Sequence, residues 1–281
     1  MKKLCGPFYD SNGNPVLTKS YCAFLDVLGF KQMVQESFAG NAPYPLFARL
    51  HRIIQAEILR LNMYQLGSGE TDWALKVFTD NIVLGYPLFS GDGESEYGFV
   101  IGRIAEYQLT MSLAGFFVRG GLAIGPLFMD DNIVYGPAII EAYRAESELA
   151  RDPRIVLSQE VQNMVMQHTK YYADPGESPQ NRELIVDPDG HVFVNYLEML
   201  VIEDDAGPCV AWKKIELHKE QIEKNLSKFK DKPVIWSKYY WLANYHDYFC
   251  LTHQQYSGYK KAYLIDPGIA KPEFSRLVKA V

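Results

Sequence analysis

The chain has 281 residues, of which 48% are hydrophobic and 22% are charged, and its formal net charge at pH 7 is −6. This length and apolar fraction suffice for one large domain, or for a domain with an added elaboration. No long basic block occurs, which argues against a nucleic-acid surface. No apolar run approaches the ~18 residues of a transmembrane helix, so the sequence predicts neither a membrane span nor a secretory signal.

Cysteine usage indicates the compartment. The four cysteines, Cys5, Cys22, Cys209 and Cys250, are scattered and include no Cys-x-x-Cys pair. This pattern favours reduced, buried thiols over a disulfide framework or a zinc site. The sequence therefore predicts a cytoplasmic protein.

Apolar periodicity predicts six elements in the first half of the chain. The strands are continuous apolar runs, and the helices have apolar residues at 3.6-residue spacing. In chain order these are a strand at 21–28, a helix at 46–61, strands at 73–78 and 82–86 around a turn at 79–81, a helix at 97–111 and a strand at 116–125. The order is β-α-β-β-α-β.

That order is typical of a ferredoxin-like α+β sheet, whose strands lie in the order 4-1-3-2. Strands 1 and 3 are then antiparallel neighbours, which brings Asp26, near the end of strand 1, beside Asp80, at the start of strand 3. Two carboxylates that meet at one sheet edge repel each other unless a cation lies between them, and their oxygens suit Mg²⁺ or Mn²⁺. The alternative is that each aspartate only caps a turn or a helix.

Four segments together resemble the catalytic domain of class III nucleotide cyclases. They are Asp26 with the following Leu28-Gly29-Phe30, the second aspartate in a β-turn, the strand at 119–125 and the segment 135–144. The similarity covers roughly residues 18–160. The run 131–143 and the aromatic segment 239–246 are similar to the bacterial pyrimidine cyclases of Pycsar antiphage defence. The order and spacing of these segments are more specific than any one of them.

The resemblance implies a two-metal site. Asp26 and Asp80 match the metal-binding aspartates of the family, and the backbone carbonyl of Val27 matches a further ligand. Two Mn²⁺ or Mg²⁺ ions per site would then bridge the triphosphate, while the ribose 3′-hydroxyl attacks the α-phosphorus and pyrophosphate leaves.

Arg144, eight residues after Gly136, matches the arginine that contacts the α-phosphoryl group in the transition state. From spacing alone, Arg144 is equally a helical arginine that pairs with Glu141 or Glu148. Arg119 opens a strand, a position that is usually structural, and we leave it out of the predicted site.

Departures from the purine cyclases favour a pyrimidine substrate. Ile133 stands where those enzymes usually have an aspartate that reads adenine, and Ile140 stands in place of their transition-state asparagine. Lys76 coincides with their base-reading lysine. The resemblance therefore implies substrate contacts at Lys76, Ile133, Gly29 and Phe30, with UTP as the first choice of substrate and CTP as the second.

Class III sites form between two catalytic domains, and this chain has one. The resemblance therefore implies a C2 homodimer with two shared sites, each combining the metals of one protomer with Arg144 of its partner. The cyclic nucleotide would activate a separate effector. We place the catalytic domain at 1–160 and a C-terminal α/β elaboration, packed on the core, at 161–281.

The C-terminal part carries little signal for chemistry. Residues 187–190 predict a hairpin turn, and the alternating charges of 218–232 predict a solvated helix. The aromatic segment 236–249 has helical spacing that favours packing. The dipeptide His246-Asp247 lacks further metal ligands nearby and is interpreted as structural.

Two other hypotheses remain open. One is a catalytically degenerate cyclase-like module that binds a nucleotide or another protein, which Ile140 favours and the retention of Asp26, Asp80 and Arg144 opposes. The other is a GGDEF-type dinucleotide cyclase, which shares the sheet, but no Gly-Gly-Asp-Glu-Phe turn occurs at Asp80.

Overall fold

The computed structural model describes residues 6–65, 73–89, 91–204, 207–265 and 273–278. Cys5 lies outside these ranges. The helices are α1 (Phe30–Ala39), α2 (Pro43–Gln65), α3 (Glu94–Leu113), α4 (Pro137–Arg144), α5 (Gln159–His168), α6 (Pro179–Glu183), α7 (Trp212–Lys228) and α8 (Pro233–Thr252). The strands are β1 (Thr18–Val27), β2 (Ala74–Phe78), β3 (Asn81–Pro87), β4 (Val118–Met129), β5 (Val134–Tyr135), β6 (Ile155–Leu157), β7 (Leu184–Val186), β8 (Val192–Val194), β9 (Val201–Asp204), β10 (Gly207–Val210) and β11 (Ser275–Arg276).

One mixed sheet dominates the fold, with the strand order β11-β7-β8-β6-β4-β1-β3-β2 and with β5 paired to β4. β1 is antiparallel to both of its neighbours, β3 and β4, whereas β6 is parallel to β4. The first four strands therefore lie in the predicted order 4-1-3-2. Strands β9 and β10 form a separate hairpin.

The segment between β1 and β2 differs from the prediction, because it holds two helices, α1 and α2, where the periodicity predicts one. The first of these, α1, carries apolar residues at helical spacing, Phe30, Met33, Val34 and Phe38, which the prediction did not include, and none of its residues is fully buried. Its first residue, Phe30, nevertheless packs against the main core.

The side chains of β1 alternate between two faces of the sheet. Tyr21 and Leu25 point into the main core, which includes residues of α3. Cys22 and Phe24 point to the opposite face, where residues of α4 cover them. Asp26 continues this second alternation, so its carboxylate lies on the face that carries α4.

Residues after 160 extend the same sheet through β7, β8 and β11. The predicted hairpin turn is confirmed: the Gly190 N–H donates to the Asp187 carbonyl, and Gly190 has a φ of 87°. This left-handed conformation favours glycine. Beyond the sheet, α7 and α8 pack together at the edge where β1 ends and β4 begins, against Leu28 and Phe117.

The prediction of a solvated helix is wrong for one side of α7. His218 and Ile222 are fully buried there, because α7 packs against α3 and α8 rather than lying free on the surface. The predicted packing of the aromatic segment in α8 is confirmed, since Tyr239, Tyr245 and Phe249 are buried. His246 and Asp247 are buried as well, and Asp247 accepts a hydrogen bond from the Ile265 N–H, in line with their structural interpretation.

Two of the cysteines fit the expectation of buried thiols. Cys22 and Cys250 are buried, and burial raises the pKa of the Cys22 thiol to about 12. Cys209 is only partly buried because it lies in the peripheral β9–β10 hairpin. Within the described ranges, no helix combines the length and apolarity needed to cross a membrane.

Candidate functional site

The two aspartates meet at one edge of the sheet, as the sequence predicts. The β1–β3 register pairs Leu25 with Ile82, which places Asp26 next to the turn that contains Asp80. Burial raises the pKa of Asp26, the Arg119 guanidinium opposes this rise, and the neighbouring Asp80 carboxylate adds to it. The two carboxylates are therefore close enough to repel each other, which is the condition that a bound cation relieves.

Asp80 lies in a tight two-residue turn between β2 and β3. Thr79 precedes it with a φ of 58°, a left-handed conformation that is uncommon for a β-branched residue. The Thr79 hydroxyl lies 2.8 Å from Oδ1 of Asp80 and 2.6 Å from the Phe78 carbonyl oxygen, so it shares one hydrogen between these two acceptors. Such local strain occurs where the surrounding structure holds a functional group in place. Here the turn orients the Asp80 carboxylate.

Arg119 is the residue that the sequence analysis missed. Its Nε donates to Oδ2 of Asp26 at 2.9 Å, and its Nη2 lies 2.8 Å from Oε1 of Glu146. Asp26 and Arg119 are direct cross-strand partners in the β1–β4 register. The signal was present in the sequence, because the predicted strand order already made β1 and β4 neighbours. What was lacking was the register.

Glu146 reaches Arg119 because α4 continues into a π-helical turn, Ala145–Leu149. The Glu146 side chain is only 4% exposed, and burial raises its pKa while Arg119 opposes the rise. This turn packs tightly on β4 at Gly121, which leaves no room for a side chain there. The Asp26–Arg119–Glu146 chain thus links the sheet edge to the end of α4.

Arg144 is not brought to the aspartates within one protomer. Its Nη2 lies 2.6 Å from Oε1 of Glu141 and its Nη1 lies 4.0 Å from Oε2 of Glu148, while its side chain is 53% exposed. These are the two helical partners that its spacing allowed. Its described ion pairs and hydrogen bonds include neither Asp26 nor Asp80.

The residues after Asp26 offer backbone groups rather than side chains. The apolar side chain of Val27 is buried in the main core, and its backbone carbonyl is the group that could bind a metal ion. Gly29, at a φ of 73°, is the N-cap of α1, and no side chain caps this end of the helix. Phe30 is the first helical residue and packs against the core. The first N–H groups of a helix have no intrahelical partner and favour anions.

The two predicted base contacts lie near a carboxylate that the sequence analysis did not select. Asp130 accepts hydrogen bonds from the backbone N–H groups of Asn132 and Ile133 and from the Tyr9 hydroxyl. These bonds, and to a smaller extent the nearby charge of Lys76, lower the pKa of Asp130. Ile133 is 55% exposed. Lys76 and Ile133 thus flank one loop at the end of β4.

A cleft of about 280 Å³ opens beside Asp26. The end of β1, the start of α1 and the helices α7 and α8 form its walls, which include Asp26, Gly29, Arg119, Lys228 and Lys238. No local sequence pattern predicts that residues 228 and 238 of α7 and α8 lie near Asp26, so this wall of the cleft is known only from the structure. A cleft of this volume can hold part of a small ligand.

The donor set fits a hard cation that a substrate helps to bind. Within the described parts of the chain, no group of three or more His, Cys, Asp and Glu side chains is placed to hold a metal ion. The candidate ligands of Asp26, Asp80 and the Val27 carbonyl are all oxygen atoms. Mg²⁺ is commonly bound by one or two carboxylates together with substrate phosphates and waters.

No protein-family model matches this sequence, and comparison with curated proteins gives no match. The features that bear on function are a pair of converging aspartates, an arginine that bridges one of them to Glu146, and a cleft with cationic side chains.

Proposed function

We propose that the protein is a class III-type nucleotide cyclase that converts UTP into 3′,5′-cyclic UMP and pyrophosphate. The observation that carries this proposal is the convergence of Asp26 and Asp80, 54 residues apart, at the β1–β3 edge of a sheet with the order 4-1-3-2. The motif resemblance of residues 18–160 to class III cyclases supports it independently.

The mechanism uses the aspartates as metal ligands. Asp26, Asp80 and the backbone carbonyl of Val27 would hold the Mn²⁺ or Mg²⁺ ions. When bound, the ions lower the pKa of the ribose 3′-hydroxyl and neutralise charge on the leaving phosphates. Arg119 favours the ionised form of Asp26 and fixes its Oδ2. Attack of the 3′-oxygen on the α-phosphorus closes the ring and releases pyrophosphate.

Arg144 would act from a second protomer. Exposed apolar side chains occur on α4, where Ile140 and Tyr143 are 69% and 53% exposed, and in the segment before it, where Ile133 and Tyr135 are 55% and 65% exposed. A C2 dimer through this surface would cover them and place the partner's arginine near the α-phosphoryl group. In that dimer, Arg144 exchanges its Glu141 contact for the substrate.

A pyrimidine base fits the altered base-reading positions best. The exposed apolar side chain of Ile133 offers no acceptor to an adenine amino group, and Lys76 remains nearby as a donor. UTP is the first choice of substrate and CTP the second. The product would serve as a cytoplasmic second messenger in antiphage defence, acting on a separate effector.

A second candidate function is a nucleotide-binding module without catalysis. The observation that favours it is the Arg144–Glu141 ion pair, which occupies the arginine in the single protomer. Ile140, which stands in the position of the transition-state asparagine, also favours a binding module.

The decisive experiment is to incubate the purified protein with each of the four ribonucleoside triphosphates and Mn²⁺, and to resolve the products by chromatography and mass spectrometry. We expect cyclic UMP as the main product. Asp80→Asn should reduce the rate by ~10²-fold or more, because metal-ion charge stabilisation contributes several kcal/mol. Asp231→Asn, an exposed aspartate between α7 and α8, is the matched control and should retain the rate.

Each other result has a defined meaning. Predominant cyclic AMP or cyclic GMP contradicts the pyrimidine assignment. If no triphosphate gives a cyclic product but nucleotides still bind, the binding module replaces the cyclase.

A further inference from the structure

The cleft beside Asp26 has a wall that belongs to no predicted part of the site. Val234, Ile235, Lys238 and Tyr239 of α8 line it, together with Asn225 and Lys228 of α7. The helix pair is fixed there by a buried cluster that joins Leu28 and Phe117 to Tyr239. The packing of Tyr239 therefore fixes α8 across the cleft from Asp26.

Two lysines face this cleft, and they differ in their partners. Lys228 Nζ lies 2.6 Å from Oε2 of Glu36, so its charge is already compensated. Lys238 is half-buried, and the described residues give it neither a hydrogen bond nor an ion pair. A half-buried ammonium without a close anionic partner is costly unless a ligand supplies one.

The charges around Lys238 do not satisfy it. Burial and the Arg119 guanidinium lower the pKa of Lys238, and the carboxylates of Asp152, Asp26 and Glu146 offset this only in part. Asp26 and Glu146 are already paired with Arg119. Metal ions bound at Asp26 would cancel more of the negative charge, which leaves the cleft open to an anion.

We propose that Lys238 binds the polyphosphate chain of the nucleotide, so that α8 supplies a substrate-binding side chain from outside the predicted catalytic region. The proposal rests on the proposed function for the identity of the substrate. Its geometric basis is separate: the cleft between Asp26 and α8 is lined by Lys238, which has no hydrogen bond or ion pair to the described residues, and by Gly29 at the uncapped N-terminus of α1. A polyphosphate chain in this cleft would contact the Lys238 ammonium at one end and the metal ions bound at Asp26 at the other.

Binding measurements test this without relying on turnover. The probes are inorganic tripolyphosphate and a UTP analogue with an α,β-methylene bridge, each titrated calorimetrically with Mn²⁺ present. Lys238→Met should raise the Kd of both probes by about tenfold or more, because a charge-assisted contact is lost. Lys230→Met removes the same charge at an exposed position between α7 and α8 and should leave both Kd values unchanged.

Two further variants guard against indirect effects. Lys238→Arg keeps the charge and should bind both probes within about threefold of wild type. Lys238→Gln should weaken binding like Lys238→Met, and thermal melts should show that no variant is less stable than the wild-type protein. In the cyclase assay, Lys238→Met should raise KM for UTP.

The outcomes separate the two proposals. If the wild-type protein makes cyclic nucleotide but Lys238→Met binds both probes normally, the Lys238 assignment is overturned and the cyclase stands. If no cyclic product forms but tripolyphosphate binding depends on Lys238, the cyclase fails and the polyphosphate site stands. If the wild-type protein binds neither probe, the Lys238 assignment is overturned as well.

Discussion

At the scale of single residues, Arg119 organises the site. It is paired with Asp26, the proposed metal ligand, and with Glu146, which is almost fully buried. Removing a partner from a buried ion pair is costly, because it leaves a desolvated charge without compensation. The stability of this edge of the sheet and the ionisation of Asp26 therefore depend on the same guanidinium.

We predict that Arg119→Met lowers the free energy of unfolding by about 2–3 kcal/mol, somewhat less than a fully buried pair because the arginine is 26% exposed. Urea denaturation at neutral pH measures this. The double variant Arg119→Met/Glu146→Gln should recover part of the loss, since it no longer buries an unpaired Glu146 carboxylate.

Arg144→Met is the matched control, because Arg144 is an exposed arginine in an ion pair with Glu141. Exposed pairs of this kind contribute little, so its urea midpoint should stay close to that of the wild-type protein. Equal losses in the Arg119 and Arg144 variants would contradict a special role of Arg119.

At the scale of elements, the contact of α4 with β4 positions both Glu146 and Arg144. A Cβ atom added at Gly121 would lie 2.6 Å from the Ala145 Cβ and 2.8 Å from the Glu146 backbone nitrogen. Backbone atoms cannot move away as a flexible side chain would, so the helix and its π-helical turn would have to shift.

We predict that Gly121→Ala destabilises the protein by about 2 kcal/mol or more through this overpacking. It should also reduce cyclase activity by displacing the α4 end. Gly98→Ala is the control: it lies in the interior of α3 with no atom near the added Cβ, and should stabilise the helix by up to about 1 kcal/mol. Thermal unfolding of both variants checks the contrast, which would be absent if Gly121 had room for a side chain.

A second element-scale feature is a buried hydrogen-bond chain between α7 and α8. His246 Nε2 donates to the Tyr263 carbonyl, so its Nδ1 accepts from His218 Nδ1 at 2.9 Å, and His218 Nε2 accepts from the Tyr196 hydroxyl at 2.8 Å. Both imidazoles are neutral in this arrangement. Burial lowers the pKa of His218 well below its ordinary value and lowers that of His246 to about 4.

This chain predicts the pH dependence of stability. In the unfolded chain both histidines bind protons below their ordinary pKa of 6.5, whereas the folded protein does not. The free energy of unfolding should therefore be unaffected by them above about pH 7 and should fall as the pH decreases from 6.5 towards 4, by about 1.4 kcal/mol per pH unit for each histidine.

Urea denaturation at a series of pH values tests the prediction. His246→Gln should be less stable than the wild-type protein at pH ~7.5, but its stability should fall less steeply in the acidic range because one titrating group is absent. Identical slopes for both proteins would show that the histidine chain does not control acid unfolding.

At the scale of the whole molecule, the proposed site is incomplete in one protomer. Asp26 and Arg144 lie on the same side of the sheet, yet Arg144 is directed towards Glu141 and Glu148. In the proposed C2 dimer, a shared site would bring the two groups to one substrate without refolding of α4. The exposed apolar residues Ile140 and Tyr143 of α4 would lie in its interface.

We predict that Asp26→Ala and Arg144→Ala proteins, each inactive alone, regain activity when mixed under conditions that exchange subunits. Random pairing makes half of the dimers mixed, and each mixed dimer has one intact site, so about a quarter of the wild-type activity is expected. Differently tagged subunits verify that mixed dimers form. No return of activity in verified mixed dimers would contradict the shared site.

Part of this architecture follows from local sequence. The apolar run of β1, the tight turn before β3 and the helical spacing of α3 determined the element order, and topology then placed Asp26 beside Asp80. Such features depend on neighbours within a few residues and on a small set of allowed connections. The helix α1 was missed although Phe30, Met33, Val34 and Phe38 follow helical spacing, so this element too could have been predicted from the sequence.

The remainder was decided only by the tertiary structure. The pairing of Arg119 with Asp26 needed the β1–β4 register, and the position of Lys238 needed the packing of α8 against Leu28 and Phe117. Both depend on contacts between segments far apart in the chain, whose geometry is set by the fit of whole helices and strands. The sequence by itself determined which carboxylates converge, whereas the folded molecule determined which cations surround them.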